Sequence, residues 1–385
     1  MHFEFATSHW IRFGSGVLRE VAPMARALGQ RALLVTGRNA GRAAALLTAL
    51  ADHDLECTPF AVPTEPTTSL VCEGAGRVRA ERCELVIAMG GGSALDAGKA
   101  IAALATNPGD LLDYLEVIGK ARPLIQPPLP FIAIPTTAGT GTEVTRNAVL
   151  ASSVHRVKAS LRSPMLLARQ AVVDPELTLG LPRDLTAATG LDALTQLIEP
   201  FVSCRANPLV DGLCREALPR VARALPRVCE HPDDLPARAD MALGSLLSGM
   251  ALANAGLGAV HGFAAPIGGM FSAPHGAVCA ALLPHVMEMN LRALRRRFTE
   301  STALERYTEI ARILTGQSTA TAADGVNWVR QLVMDLEIPS LSTYGITNAQ
   351  VEELGTLASQ ASSMKANPLP LLPAELEEIL LRAIG

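Results

Sequence analysis

Apolar and polar positions divide the 385-residue chain into two parts. In the first part, short apolar runs typical of buried strands occur at 31–36, 56–62, 84–89 and 131–134, and 3–13 has the alternation of an edge strand or hairpin. Segments of helical period lie between them at 14–28, 43–51, 70–79 and 94–105. Apolar strands separated by helices indicate a parallel sheet covered on both faces.

After about residue 182 the strand-like runs disappear. Helical periods follow one another at 184–202, 207–228, 235–255, 304–314, 327–336, 348–361 and 373–383. The boundary lies in VVDPELTLGLP, which carries two prolines and a glycine. We therefore predict a doubly wound, parallel-sheet α/β domain that binds a dinucleotide at 1–180, followed by an all-α helical C-terminal domain at 181–385.

Composition narrows the class of protein. The chain is 49% hydrophobic and 18% charged with a net charge of -4, which argues against nucleic acid or an anionic membrane as the partner. Residues 241–260 carry no charge, but their serines and four glycines favour a helix buried in a bundle over a membrane span. Seven cysteines without a CxxC pair, and no signal-peptide pattern, indicate reduced thiols in a cytoplasmic protein.

Two loops follow strands of the first part. GGGS at 90–93 opens a helix, whose backbone N–H groups suit a phosphate, and Ser93 and Asp96 have the spacing of a capping pair. PTTAGTGTE at 135–143 adds four hydroxyls that suit a ribose or phosphate. Either loop alone is also consistent with a tight turn or a solvated connection. Two of them on one sheet favour a nucleotide.

The end of the first core strand bears on cofactor preference. An acid there can bind the ribose 2′-OH of NAD, but this chain has Gly37-Arg38-Asn39 and no acid before Asp52. A 2′-phosphate would not be repelled, so we expect a preference for NADP(H).

Candidate chemistry in the helical part lies on two segments. Asp192, Gln196 and Glu199 share a helix face at i, i+4 and i+7, which is typical of the polar stripe of an amphipathic helix. Asp192, among apolar neighbours, is also consistent with a buried carboxylate that needs a cation or a hydrogen-bond donor. His261 and His275 lie in the small-residue run 258–276, where an isolated histidine is as consistent with a satisfied core residue as with a reactive one.

These segments together resemble the iron-containing (group III) alcohol dehydrogenase family. The resemblance covers about 13–290 through GGGSALDAGKA, ATNPGDLLDYLE, PTTAGTGTEVT, VVDPELT, GLDALTQLIEP, GAVHGFAAPIGGMFSAPHG and LLPHVMEMN, with KANP at 365–368. It implies a dinucleotide-binding domain, a helical domain, a cleft between them for nicotinamide, substrate and metal, and a homodimer or larger homo-oligomer.

The resemblance also implies site residues. The positions that match the family's NAD(P)(H) contacts are Gly37, Gly90, Gly91, Gly92, Ser93, Asp96, Thr136, Thr137, Thr145 and Lys158. Members that prefer NAD commonly carry Asp where this chain has Gly37.

The metal ligands of the family are implied to be one Asp and three His. Asp192 and His275 match two of them, whereas Gln196 and Ala265 stand at the other two positions and His261 matches a histidine that is not a ligand. The resemblance thus predicts a remnant site of Asp192, Gln196 and His275, with weak or no binding of iron or zinc.

The activity implied is hydride transfer between nicotinamide C4 and a small alcohol or its aldehyde or ketone, with carbonyl reduction favoured. His261, His275 and Asp192 are then the catalytic candidates, as hydrogen-bond donors or general acids. A maleylacetate reductase-like enzyme is the runner-up activity, although this chain's TTAGTGTEVT resembles the alcohol dehydrogenase form of the loop. The same motifs are also consistent with a non-catalytic nucleotide-binding homologue and, less well, with a lyase of the dehydroquinate synthase type.

Overall fold

The computed structural model describes residues 2–155 and 157–385 as two compact units. The α/β unit comprises Ala6–Thr137 and Gly141–Leu179. The helical unit comprises Gly180–Gly385, Ala138–Thr140 and a short N-terminal segment that ends at Phe5. The predicted ranges were 1–180 and 181–385. The N-terminal segment up to Phe5 and Ala138–Thr140 lie in the first range but group with the helical unit.

The α/β unit is built on a parallel sheet. Its strands, with those of a separate hairpin, are β1 (Ile11–Phe13), β2 (Arg31–Thr36), β3 (Glu56–Ala61), β4 (Leu85–Gly90), β5 (Phe131–Pro135), β6 (Asn147–Ser152), β7 (Val157–Arg162) and β8 (Gln170–Val173). Six of them form one sheet in the order β1-β8-β5-β4-β2-β3, with every pair parallel. β6 and β7 pair antiparallel.

Helices cover both faces of this sheet, as the apolar strands predict. The helices of the unit are α1 (Val21–Arg26), α2 (Ala44–Ala51), α3 (Thr68–Ala80) and α4 (Gly92–Thr106). Successive side chains of β2 point to opposite faces, so Leu33 packs in the core with α3 and α4 while Leu34 packs in the core with α1 and α2. The doubly wound α/β prediction is confirmed.

The second unit is helical. Its helices are α5 (Arg183–Val202), α6 (Pro208–Glu230), α7 (Leu235–Ala255), α8 (Ala259–Met270), α9 (His275–Arg297), α10 (Thr302–Thr315), α11 (Ala322–Asp335), α12 (Val351–Gln360) and α13 (Pro373–Ile384). One apolar core runs through them. The all-α prediction for the second part of the chain is therefore confirmed as well.

The uncharged stretch at 241–260 does not form a continuous helix. It contains the end of α7 and the start of α8, which are bent by 99° at the break between them. Among the described residues, no single helix has the length and hydropathy to cross a membrane, although this bent pair passes the same test together.

Several elements differ from the sequence-based prediction. The strand predicted at 3–13 is only Ile11–Phe13, and β6, β7 and β8 were not predicted. The 23-residue α9 was also missed, because Pro284 lies inside it and proline normally marks a helix boundary. The missed helix matters most, because it carries two of the site residues described below.

Candidate functional site

The predicted cofactor residues lie at the carboxyl ends of three adjacent strands. Gly37 follows β2, Gly90 ends β4, and Thr136 follows β5, where its N–H donates to the Gly90 carbonyl at 2.9 Å. A Cβ on Gly90 would lie 2.6 Å from the Ala94 Cβ and 3.3 Å from the Gly37 nitrogen, so glycine is required there. The strand order of the sheet switches between β2 and β4, because β3 follows β2 toward one edge and the later strands lie toward the other. Doubly wound sheets bind ligands at this switch point.

The N-terminus of α4 is open to an anion. Gly91 is its N-cap residue and has no side chain with which to cap it. The predicted Ser93–Asp96 capping pair is therefore wrong: Asp96 Oδ2 instead accepts the Val149 N–H at 3.2 Å. The uncapped N–H groups and the helix dipole form the type of site that binds a pyrophosphate.

Lys99 holds the loop that follows β5 through hydrogen bonds from its side chain. Its buried Nζ donates to the Thr145 carbonyl at 2.6 Å, to Thr145 Oγ1 at 2.9 Å and to the Thr142 carbonyl. Burial lowers the pKa of Lys99 to about 8, and burial raises the pKa of the neighbouring Glu143 to about 7. Thr145 thus has a structural partner in this structure, whatever it contacts in a nucleotide complex.

Lys158 also has a partner within the protein. It lies on β7, and its Nζ donates to Glu65 Oε1 at 2.6 Å. Its assignment as a nucleotide contact stays a prediction.

In the helical unit, α5 presents three buried polar side chains on one face. The Gln196 amide oxygen lies 3.2 Å from Ser248 Oγ, which also contacts the Ser245 carbonyl at 2.8 Å, and the Gln196 side chain helps to lower the pKa of the Asp192 carboxyl. Glu199 Oε1 accepts the Val260 N–H at 2.8 Å, and Oε2 contacts His261 Nδ1 at 2.6 Å. The stripe is therefore not solvated, and each of its members faces a polar partner.

Four ligand-type side chains converge beside this stripe. Asp192 Oδ1, one ring nitrogen of His261, one of His275 and the Cys279 sulfur all lie within 4.8 Å of one another. The Asp192 Oδ1 to Nε2 distances are 3.3 Å for His261 and 3.8 Å for His275, and Cys279 Sγ lies 3.8 Å and 3.7 Å from the same nitrogens. Asp192 Oδ1 is buried and makes no hydrogen bond with any described residue.

Small residues allow the helices to approach closely enough for this cluster. A Cβ on Gly276, at the start of α9, would lie 2.4 Å from the Ala188 carbonyl oxygen on α5. A Cβ on Gly258 would lie 2.9 Å from Glu199 Oε1. The start of α8 is further held by Asn367 of the KANP segment, whose Oδ1 accepts the Ala259 N–H at 3.2 Å.

The acidic side chains of the cluster shift the pKa of the basic ones toward the charged form, and the basic side chains do the same for the acidic ones. Burial alone would raise the pKa of Asp192, but the imidazoles of His275 and His261 hold it below its usual value. Burial opposes a charged His261, yet Cys279 and Glu199 raise its pKa well above the ordinary value. Burial likewise raises the pKa of Cys279, and the two histidines lower it to below that of a free thiol.

The structure brings together Asp192, His261 and His275, the three residues selected from sequence as catalytic candidates, but it differs from the predicted metal set. His261 contributes a nitrogen to the cluster, whereas Ala265, one turn later on α8, offers no ligand atom. Cys279 was not selected from the sequence. The available signal was its spacing from His275, because positions i and i+4 share a face once α9 is known to be a helix.

These residues fit a divalent metal ion. One carboxylate oxygen, two imidazole nitrogens and one sulfur are typical ligands, and a buried carboxylate oxygen without a hydrogen bond has an acceptor position open to a cation. Metal–ligand distances of about 2.0–2.3 Å place tetrahedral ligand atoms roughly 3.3–3.7 Å apart. Two of the four separations, 3.3 Å and 3.7 Å, lie within this range, and the other two, both 3.8 Å, lie just above it. Glu199 on His261 Nδ1 is the second partner that metal-binding histidines usually have.

Known proteins resemble this chain over nearly its whole length. The model of the iron-containing alcohol dehydrogenases matches residues 8–175, and the C-terminal model of the Fe-containing alcohol dehydrogenase family matches 186–384. A 1,3-propanediol dehydrogenase of Klebsiella pneumoniae is 36% identical over 375 residues, which cover 95% of each chain.

Solved structures agree with these sequence matches. The crystal structure of a 1,3-propanediol oxidoreductase superposes with a TM-score of 0.92 at 33% identity and covers 100% of both chains. The sulfoacetaldehyde reductase from Bifidobacterium kashiwanohense, solved in complex with NAD+, gives a TM-score of 0.87 at 28% identity and covers 100% of this chain and 99% of that one.

Proposed function

Because this chain belongs to the iron-containing alcohol dehydrogenase family, we propose that it is an NADP(H)-dependent, metal-assisted oxidoreductase that interconverts a small alcohol and its aldehyde or ketone. The observation that carries this proposal is Asp192 Oδ1, which is buried without a hydrogen bond and faces two imidazole nitrogens. A chain released from catalysis has no physical reason to retain such a cluster.

The cofactor proposal rests on the α/β unit. The uncapped N-terminus of α4 and the glycines at the ends of β2 and β4 suit a pyrophosphate, and a structural relative was solved with NAD+. For the 2′-phosphate, Gly37 leaves space: no described atom lies within 4 Å of where its Cβ would be, and the exposed Arg38 follows. These features favour NADP(H) over NAD(H).

The metal proposal assigns Asp192, His261 and His275 as ligands. When bound there, a divalent metal ion supplies Lewis-acid polarisation of the substrate oxygen. Glu199 holds the His261 proton at Nδ1, so that Nε2 faces the cluster with its lone pair. His275 is the accessible member, because its side chain is 37% exposed whereas those of Asp192 and His261 are buried.

Carbonyl reduction would take its hydride from a nicotinamide cofactor held by the α/β unit, and the carbonyl oxygen would take up a proton that originates from solvent. The exposed side of His275 gives both the substrate and that proton access to the cluster. Because the surrounding run at 258–276 consists largely of small apolar residues, we propose a short-chain aldehyde, ketone or keto acid as the substrate. The relatives named for 1,3-propanediol are named for a three-carbon alcohol, which is of similar size.

The test is oxidation of NADPH and NADH against a panel of small aldehydes, ketones and keto acids, with Asp192→Asn and Asp184→Asn compared. Asp184 lies exposed on the first turn of the same helix and serves as the matched control. We expect turnover with NADPH, about 100-fold or more slower in Asp192→Asn and unchanged in the control. Cofactor binding without turnover of any carbonyl would instead indicate a non-catalytic nucleotide-binding protein.

A further inference from the structure

We propose that Cys279 is a direct metal ligand, so that its thiolate completes a set with Asp192, His261 and His275 and makes the centre selective for zinc over iron. The proposal rests on the metal centre of the proposed function and adds to it a ligand and a metal.

The position of Cys279 supports direct coordination. It lies one helical turn after His275 on α9, is fully buried, and has its sulfur 3.7–3.8 Å from Nε2 of both histidines. A sulfur at about 2.3 Å and a nitrogen at about 2.0 Å from one tetrahedral zinc lie roughly 3.5 Å apart. The observed separations lie about 0.2–0.3 Å above this value, so a small inward movement of the sulfur brings it to coordination distance. Asp192 Oδ1, which has no hydrogen bond, lies 3.3 Å and 3.8 Å from the same two nitrogens.

The competing fourth ligand is Gln196. Its Oε1 lies 3.2 Å from Ser248 Oγ, whose single proton has the Ser245 carbonyl as its nearer acceptor at 2.8 Å. Its NH₂ group is the only donor that it can offer to the Asp192 carboxylate, whose pKa it lowers. Gln196 thus orients Asp192 rather than facing the ion. This assigns it the role of a positioning residue.

The chemistry of the set determines the metal. Two anionic ligands, the Asp192 carboxylate and the Cys279 thiolate, balance the charge of a divalent ion inside a buried site. Thiolate is a soft ligand that favours zinc. Zinc also binds to such sites with higher intrinsic affinity than iron(II) does. With four protein ligands, a substrate oxygen would have to bind as a fifth ligand, and the side on which His275 is exposed would be its route of entry.

Cobalt(II) titration of the metal-depleted full-length protein tests this directly, because a cobalt-bound thiolate gives a near-ultraviolet charge-transfer band that nitrogen and oxygen ligands do not. We expect one cobalt per chain and this band in the unmodified protein. Cys279→Ser should lose the band while visible d–d absorption remains, and zinc affinity should fall more than the roughly 10- to 100-fold that loss of an outer-sphere partner costs. Iron(II) affinity should fall less than zinc affinity.

Two controls locate the effect. Cys214→Ser removes an equally buried thiol on α6 and should retain the band. Gln196→Ala should also retain it, because the amide is not a ligand. Circular dichroism and NADPH binding verify that each variant is folded.

The outcomes separate this inference from the proposed function. A charge-transfer band in Cys279→Ser, or none in the unmodified cobalt protein, overturns the thiolate assignment even if the metal-loaded enzyme turns over. A Cys279-dependent band in a protein that reduces no carbonyl supports the ligand and contradicts the activity.

Discussion

At the scale of single residues, Glu199 sets which nitrogen of His261 faces the cluster. Both of its oxygens accept hydrogen bonds, one from the Val260 N–H and one from the His261 ring. Glu199→Gln keeps the shape but offers only one acceptor, so that it either reverses the His261 tautomer or loses the helix contact. We expect the dissociation constant for zinc to rise about 10- to 100-fold, measured by competition with a chelator.

A matched substitution controls for this change. Glu309→Gln alters an exposed pair with Arg215 in the same unit and should leave zinc affinity unchanged. Equal zinc affinity in Glu199→Gln and the unmodified protein would mean that Glu199 only holds the start of α8.

Gly37 offers a second prediction at this scale. Asp at this position finds open space and places a carboxylate where the 2′-phosphate of NADP(H) is proposed to bind. Gly37→Asp should shift the ratio of kcat/KM values for NADPH and NADH toward NADH by at least about tenfold, because like charges repel. Gly76→Asp adds the same charge on an exposed position of α3 and should not change the ratio. An unchanged ratio in Gly37→Asp contradicts the cofactor proposal.

The sequence predicted part of the site at this scale. Asp192, His261 and His275 were selected because charged or ionisable side chains stand among small apolar residues. Cys279 was missed because a cysteine in an apolar run is indistinguishable from a core residue until its helix partner is known. Glu199 was taken for part of a polar stripe, because its partner His261 is 62 residues away.

At the scale of elements, the approach of α9 to α5 brings His275 and Cys279 to Asp192. Gly276→Ala places a methyl group 2.4 Å from a backbone oxygen of α5, which no side-chain movement can relieve. We expect it to destabilise the protein by about 1–3 kcal/mol and to weaken zinc binding, as measured by denaturant unfolding and chelator competition. Gly212→Ala on α6, where no described atom lies within 4 Å, should instead stabilise by roughly 0.5–1 kcal/mol. Similar effects of the two substitutions would contradict close packing at Gly276.

The loop after β5 gives a prediction on pH. The pKa of buried Glu143 is raised from 4.5 to about 7, so the folded state holds a proton that the unfolded chain releases between these values. The protonated Glu143 therefore contributes its full share of the unfolding free energy below pH 4.5, and this share is lost as pH rises through about 7. The neighbouring Lys99, whose pKa is about 8, titrates above this range. Relative to the unmodified protein, Glu143→Gln should gain up to roughly 3 kcal/mol of unfolding free energy between pH 4.5 and 7, measured by denaturant unfolding. A constant difference across this range would show that Glu143 is ionised when buried.

The elements themselves were predictable where burial is complete. β2 and β4 lie in the centre of the sheet with apolar residues on both faces, and the sequence pattern found both within one residue. β7 belongs to the two-stranded hairpin, where only two of its residues are buried, so its apolar pattern is weak. The order of the strands depends on contacts between distant segments, which local periodicity does not contain.

At the scale of the whole molecule, the two halves of the proposed reaction lie in different units. The cofactor residues belong to the α/β unit and the metal ligands to the helical unit, and each unit has a core of its own. Metal binding and cofactor binding can therefore be lost one at a time by substitution. The proposed activity requires both.

Turnover measured during stepwise zinc addition to the metal-depleted protein, with NADPH and an aldehyde identified from the panel, tests the metal-assisted reaction most directly. We expect activity to be lost on metal removal and to rise in proportion to added zinc until one ion per chain is bound, while NADPH affinity stays constant. Full turnover in the metal-depleted protein, with no response to zinc, would contradict it.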